Sequence, residues 1–224
     1  MKLKHNLVLL LGAGLACAAN DAASRLDAAA DVVTEIMASP DKGIPQELLD
    51  KSACVVVIPG LKKGAFIIGG KYGKGFVSCR KDVGRGWSAP AAVRIEGGSF
   101  GLQLGGSETD VVMLVMNQGG VKKLLSSKFT LGADAQAAAG PVGRESSAET
   151  DAKMHAEILT YSRSRGLFAG LSLQGATLRP DEDWNKEMYG KEISNEDIVL
   201  GTAKPPSSAS KLMAALNKFS GRRG

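Results

Sequence analysis

Histidine is almost missing from this chain, with two in 224 residues, and one of those, His5, sits in the leader-like N-terminus. His155 and three scattered cysteines do not supply the clustered ligands that zinc and other transition metals take. No pair of carboxylates stands at catalytic spacing, since Asp181, Glu182 and Asp183 read as the acidic first turn of a helix. No residue pattern therefore points to an enzyme, and no metal or cofactor is expected. Charge of one sign is also scarce. The formal net charge is +5 and falls to +3 without Lys2 and Lys4, too mild a balance to expect a nucleic-acid partner. Beyond the N-terminus no apolar run reaches the about 18 residues that read as a membrane helix.

The N-terminus does have a pattern. "MKLKHNLVLLLGAGLACAAN" carries a basic head, an apolar run from Leu7 to Ala16 and small residues beyond, the plan of a secretory signal over residues 1–17. "GLAC" fits a permissive lipoprotein site that would make Cys17 the acylated first residue, while Ala16-Cys17-Ala18 equally fits ordinary cleavage. An exported protein, periplasmic or at the outer membrane, is expected. With Cys17 set aside, Cys54 and Cys79 remain as a pair in an oxidising compartment. A simple meander of strands near 54–58, 64–70 and 75–80 places them on non-adjacent strands, beyond bridging distance, so a disulfide would refute that meander.

Residues 22–38 place Leu26, Ala29, Val33 and Ile36 on one helical face with Asp27, Asp31 and Glu35 opposite, and "PQELLDK" follows as a short helix. Glycine-punctuated, β-branched runs then dominate from "ACVVVIPG" to "GLFAGLSLQGATL". The small-residue segment "ADAQAAAGPVGR" is expected to be extended. "PDEDWNKEMYG", with Pro180 at its start, and "PPSSASKLMAALNKFSGRRG" close the chain as helices; the last has Leu212, Met213, Leu216 and Phe219 on one side. That stripe suits either a sheet-covering helix or one lying on an anionic membrane, given Lys211, Lys218, Arg222 and Arg223. This order predicts one α+β domain over 22–219, a curved and mostly antiparallel sheet or half-barrel packed with N- and C-terminal helices, and a basic tail at 220–224.

"GGKYGKG", Gly69 to Gly75, has the glycine and lysine of a phosphate loop but not its spacing, and Gly75 stands where a magnesium-binding Ser or Thr is needed. It reads better as a hairpin turn. "GGSFG" spells a nucleophile elbow around Ser99, but a strand-like segment follows where a helix is required. Lys62, Lys63, Lys71, Lys74, Arg80 and Lys81, interleaved with Phe66, Tyr72, Phe76 and Trp87, form a basic and aromatic cluster. Such a cluster suits a lipid phosphate at the headgroup level, or simply a charged edge that blocks sheet aggregation.

Six separated blocks, "ACVVVIPGLKKGAFIIGGKYGKGFVSCR", "GWSAPAAV", "GGSFGLQLGGSETDVVMLVMN", "LGADAQAAAGPVGR", "YSRSRGLFAGLSLQGATL" and "DWNKEMYG" followed by "DIVLG", resemble the SYLF-domain family in this order, over about residues 24 to 217. The resemblance implies a non-enzymatic lipid-binding module in a bacterial, exported, single-domain form. Eukaryotic members bind phosphoinositides and some bundle actin, a partner that an exported bacterial protein does not meet. In lipid-binding members a basic N-terminal helix contributes to membrane contact. Here that helix carries Arg25 against Asp27, Asp31 and Glu35, so the attraction must come from the loop lysines or the C-terminal helix.

The site expected is a headgroup-binding loop: Lys62, Lys63, Lys71 and Lys74 for charge, Gly73 and Gly75 for backbone approach, and Tyr72 as an interfacial ring. The expected partner is an anionic phospholipid or phosphoinositide membrane. The alternatives are an envelope interaction protein with an unknown protein partner, and a carrier whose "GADAQAAAG" segment lines a cavity for an apolar ligand.

Overall fold

The computed structural model describes residues 21–38, 43–65, 69–81, 86–99, 107–142, 156–164, 167–170 and 173–220. The segment 1–17 expected to be a signal, Cys17, Phe66, His155 and the tail at 221–224 lie outside the described residues. Helices α1 (Asp21–Met37) and α2 (Gln46–Lys51) precede β1 (Cys54–Ala65), β2 (Gly69–Cys79), β3 (Ala91–Ser99) and β4 (Ser107–Val115). After α3 (Gln118–Leu124) come β5 (Phe129–Thr130), β6 (Ala137–Ala139), β7 (Ile158–Ser164), β8 (Leu167–Gly170) and β9 (Thr177–Pro180). The chain ends in α4 (Glu182–Tyr189), α5 (Asn195–Val199), a 3-10 turn (Ser207–Ala209) and α6 (Ser210–Ser220).

The strands form one curled, half-barrel sheet in the order β5-β9-β3-β2-β1-β4-β7-β6, with β8 beside β7. Among the described residues its strand pairs are antiparallel except β6 with β7, so the α+β expectation holds. Both faces of its centre are buried, which explains why "CVVVI" and "VVMLV" are continuous apolar runs rather than alternating ones. Val55, Val57, Phe76, Ala92, Val112 and Leu114 face a layer containing Leu26, Ile36, Leu49, Trp184, Leu212 and Leu216. Val56, Ile58, Val77, Val93, Val111 and Met113 face Leu124, Phe129, Leu131, Leu173 and Ile198. The apolar stripe of α6 is thus a covering stripe: Leu212 and Leu216 are buried with Leu26 and Ala29 of α1.

The three-strand meander is corrected. Pro59-Gly60 does not end β1; it forms a bulge, with the register against both β2 and β4 shifting by one residue and Gly60 at φ +59°. β1 therefore runs on to Ala65, and Cys54 and Cys79 are direct register partners joined by a disulfide. "GGKYGKG" is likewise not a turn but the first half of β2, where Gly69 is already the register partner of Ala65. Its glycines accommodate the bulge. A Cβ on Gly75 would lie 2.0 Å from the Val57 carbonyl oxygen, and one on Gly73 would lie 2.9 Å from Ile58 Cγ2. Pro180 closes β9 instead of opening α4, whose N-cap is Asp181.

Candidate functional site at the hairpin end of the sheet

The helix-facing side of the sheet changes character in three rungs. The first, Val112, Val57, Phe76 and Ala92 across β4, β1, β2 and β3, is apolar and lies under the helices. Two residues further out, the next rung carries Arg163, Asp110, the Pro59-Gly60 bulge, Lys74, Arg94 and Arg179. The outer rung is Glu108, Lys62, Tyr72, Glu96 and Thr177.

The middle rung is the seam between helices and sheet. Lys74 Nζ meets Asp181 Oδ2 at 2.9 Å as an ion pair, outside hydrogen-bond alignment, and lies 4.3 Å from the Trp184 ring centroid. Asp181 is buried and also caps α4, accepting from the Trp184 amide at 3.2 Å. Asn185 accepts from the Ala92 amide at 2.8 Å and donates to Asn195 at 2.6 Å, so α4 and α5 are locked onto β3. On the other side Arg163 donates through Nε to Asp110 Oδ2 at 2.8 Å and also pairs with Glu35 of α1. Asp110 Oδ1 accepts from the Gly60 amide at 2.9 Å, and Arg25 Nη1 donates to the Pro59 carbonyl at 3.0 Å. Burial pushes the Asp110 carboxyl above the usual carboxylate range; the Gly60 amide opposes the rise, Glu108 adds to it and Arg25 opposes it. The Arg163 guanidinium in contact opposes it as well. A cleft of about 560 Å³ opens here, lined by Arg25, Glu35, Gly60, Glu108, Asp110 and Arg163.

The expected site residues are divided by this arrangement. Lys62 and Tyr72 stand exposed as register partners on the outer rung, and Tyr72 is 48% exposed. Lys71, paired in register with Lys63, belongs to the opposite face of the sheet. Lys74 is turned into the helix seam, while Gly73 and Gly75 are buried against β1. Of the remaining cluster, Phe76, Arg80 and Trp87 are buried. Arg80 donates to the Ser52 and Leu49 carbonyls at 3.3 and 3.0 Å, bonds Ser220 and stacks 4.0 Å from the Trp87 ring. Trp87 Nε1 reaches the carbonyls of Leu216 and Ser220, so these two residues tie down the C-terminal end of α6. On α6 itself, Lys211 is paired with Asp27 of α1 at 2.9 Å.

The small-residue segment serves packing. A Cβ on Gly140 would fall 2.2 Å from the ring of buried Tyr161, and Ala137–Ala139 pairs with β7. Arg25, Glu35, Glu108, Asp110 and Arg163 were not among the residues expected from sequence; they come from three elements, and only the β1 bulge and the β4–β7 register bring them together.

Residues 96–219 match the family described as Ysc84, Las17-binding protein actin regulator. The chain is 33% identical over 181 residues to the SH3 domain-containing YSC84-like protein 1 of Homo sapiens, covering 80% of this chain and 52% of that protein. It is 34% identical over 181 residues to the Rattus norvegicus protein of the same name, covering 80% and 53%. To the LAS seventeen-binding protein 3 of Saccharomyces cerevisiae it is 33% identical over 179 residues, covering 79% and 39%. The chain spans about half the length of the mammalian relatives, and less of the yeast one.

Proposed function

This chain belongs to the Ysc84 family, the SYLF-domain proteins, and from that premise we propose that it is a non-catalytic binding module whose hairpin end meets anionic phospholipid headgroups at the cell envelope. The observation that carries this reading is the pairing of exposed Tyr72 with exposed Lys62 beyond the helix-covered part of the sheet. Lys63 and Lys71 form the neighbouring register pair of the same hairpin. A ring at headgroup level and a few ammonium groups are what an anionic bilayer surface attracts. Lys74, Gly73 and Gly75 then support the hairpin rather than touch lipid. The signal-like N-terminus and the Cys54–Cys79 disulfide both favour an oxidising, exported location.

The test is co-sedimentation of the chain from Ala18 onward, which keeps every described element, with phosphatidylglycerol or phosphoinositide vesicles at two salt concentrations. Replacing Lys62, Lys63 and Lys71 by Gln is expected to remove about 1 kcal/mol of binding per lysine and to flatten the salt dependence. Unchanged binding by the triple variant would contradict the assignment.

Glu96 and Glu108 in the same rung as Lys62 favour a second reading, a mixed-charge surface for a protein partner. Capture of one stoichiometric partner without vesicles, lost on Tyr72→Ala, would support it.

A further inference from the structure

The cleft next to the outer rung carries charge of both signs. Its inner half is internally satisfied, because Arg163 bridges Asp110 and Glu35 and the Gly60 amide donates to Asp110. Its mouth is not. Among the described residues no cation pairs with Glu108 and no acid pairs with Lys62, although the two are register partners on β4 and β1. A Cβ on Gly60 would fall 2.3 Å from Glu108 Oε1 and 3.3 Å from Arg25 Nη1. A carboxylate and a guanidinium therefore flank one point of backbone, and the absence of a side chain at Gly60 lets Glu108 lie close against it beside Arg25.

A purely anionic group entering there meets Glu108 and Glu35, and a purely cationic one meets Arg25 and Arg163. A small zwitterion satisfies both. Resting on the lipid reading above, we propose that this cleft mouth binds the phosphoethanolamine headgroup of a phospholipid, with the phosphate on Arg25 and Lys62 and the primary ammonium on Glu108. The ammonium has three N–H donors for a carboxylate, whereas a choline has none, so the site discriminates between two headgroups of equal net charge.

The experiment compares vesicles holding a fixed minor fraction of phosphatidylglycerol in a phosphatidylethanolamine or a phosphatidylcholine background. Binding is expected to be about fivefold tighter in the ethanolamine background, a charge-assisted hydrogen bond weakened by partial exposure. Glu108→Gln, an exposed substitution that leaves the core intact, is expected to abolish that difference and keep the phosphatidylglycerol-dependent binding. Equal binding in both backgrounds overturns the proposal and leaves the anionic-surface reading standing. A preference that survives Glu108→Gln also overturns it, because bilayer packing then causes the difference. Absence of binding to all vesicles sinks the lipid reading itself. Soluble glycerophosphoethanolamine separates the sources: a raised thermal midpoint with it, and not with glycerophosphocholine, shows that the headgroup alone is recognised. A preference seen only on vesicles assigns the site to bilayer-held lipid.

Discussion

Lys62 with Tyr72 and Arg80 with Trp87 are two basic and aromatic pairs drawn from one sequence cluster, and they have opposite fates. The first stands on the outer rung in solvent; the second is buried and holds the end of α6 to the sheet. What separates them is distance from the bulge: towards the disulfide end of the hairpin both faces are covered, and beyond Pro59-Gly60 the helix-facing side gives way to charged rungs. Charge and aromaticity in the sequence thus mark the two ends of a hairpin, and only register tells which end is which.

The sharpest way to break the buried end is to remove the Cys54–Cys79 disulfide. Reduction, or the double replacement by Ala, is expected to cost about 3 kcal/mol for a loop closed over a separation of 25 residues, read from the urea midpoint. Arg80→Met should cost a similar amount, about 3 kcal/mol, because the Leu49, Ser52 and Ser220 carbonyls lose their donor inside the protein. Lys74→Met sits between the two ends. It leaves buried Asp181 without its cation and should cost about 2 kcal/mol, below the figure for fully buried pairs because Lys74 is 24% exposed. Within "GGKYGKG" the comparison can be drawn one glycine at a time. Gly75→Ala is expected to lose about 2 kcal/mol by overpacking against Val57, whereas a Cβ on Gly70 meets nothing within 4 Å and Gly70→Ala should stay within about 0.5 kcal/mol of the parent. Lys62→Gln closes the series, with a stability change below about 0.5 kcal/mol and an effect confined to vesicle binding.

Much of this fold was legible in sequence because the strongest patterns are local. The 3.6-residue period from Leu26 to Ile36 gave α1 nearly to its ends, and the β-branched runs gave the central strands. Pro59-Gly60 misled because the same dipeptide that ends a strand also makes a bulge, and the choice depends on whether β2 has room opposite. Gly73 and Gly75 were the available signal: glycines two apart on one strand lie on the same face and leave space for a neighbouring backbone. Tyr72 and Lys62 could be proposed as a surface, but their separation from Lys74 needed the register. The cleft of Arg25, Glu35, Asp110 and Arg163 had no sequence signature, since its parts are spread over a span of 138 residues and each alone reads as an ordinary surface charge.

The central claim, that the outer rung is the surface facing the membrane, is tested most directly with Tyr72→Trp and vesicles carrying brominated acyl chains. Trp87 and Trp184 are 2% and 5% exposed and serve as shielded references within the same molecule. The predicted result is quenching confined to the new tryptophan, present with anionic vesicles and relieved by salt. Co-sedimentation without quenching at residue 72 would contradict the account and move the contact to another face.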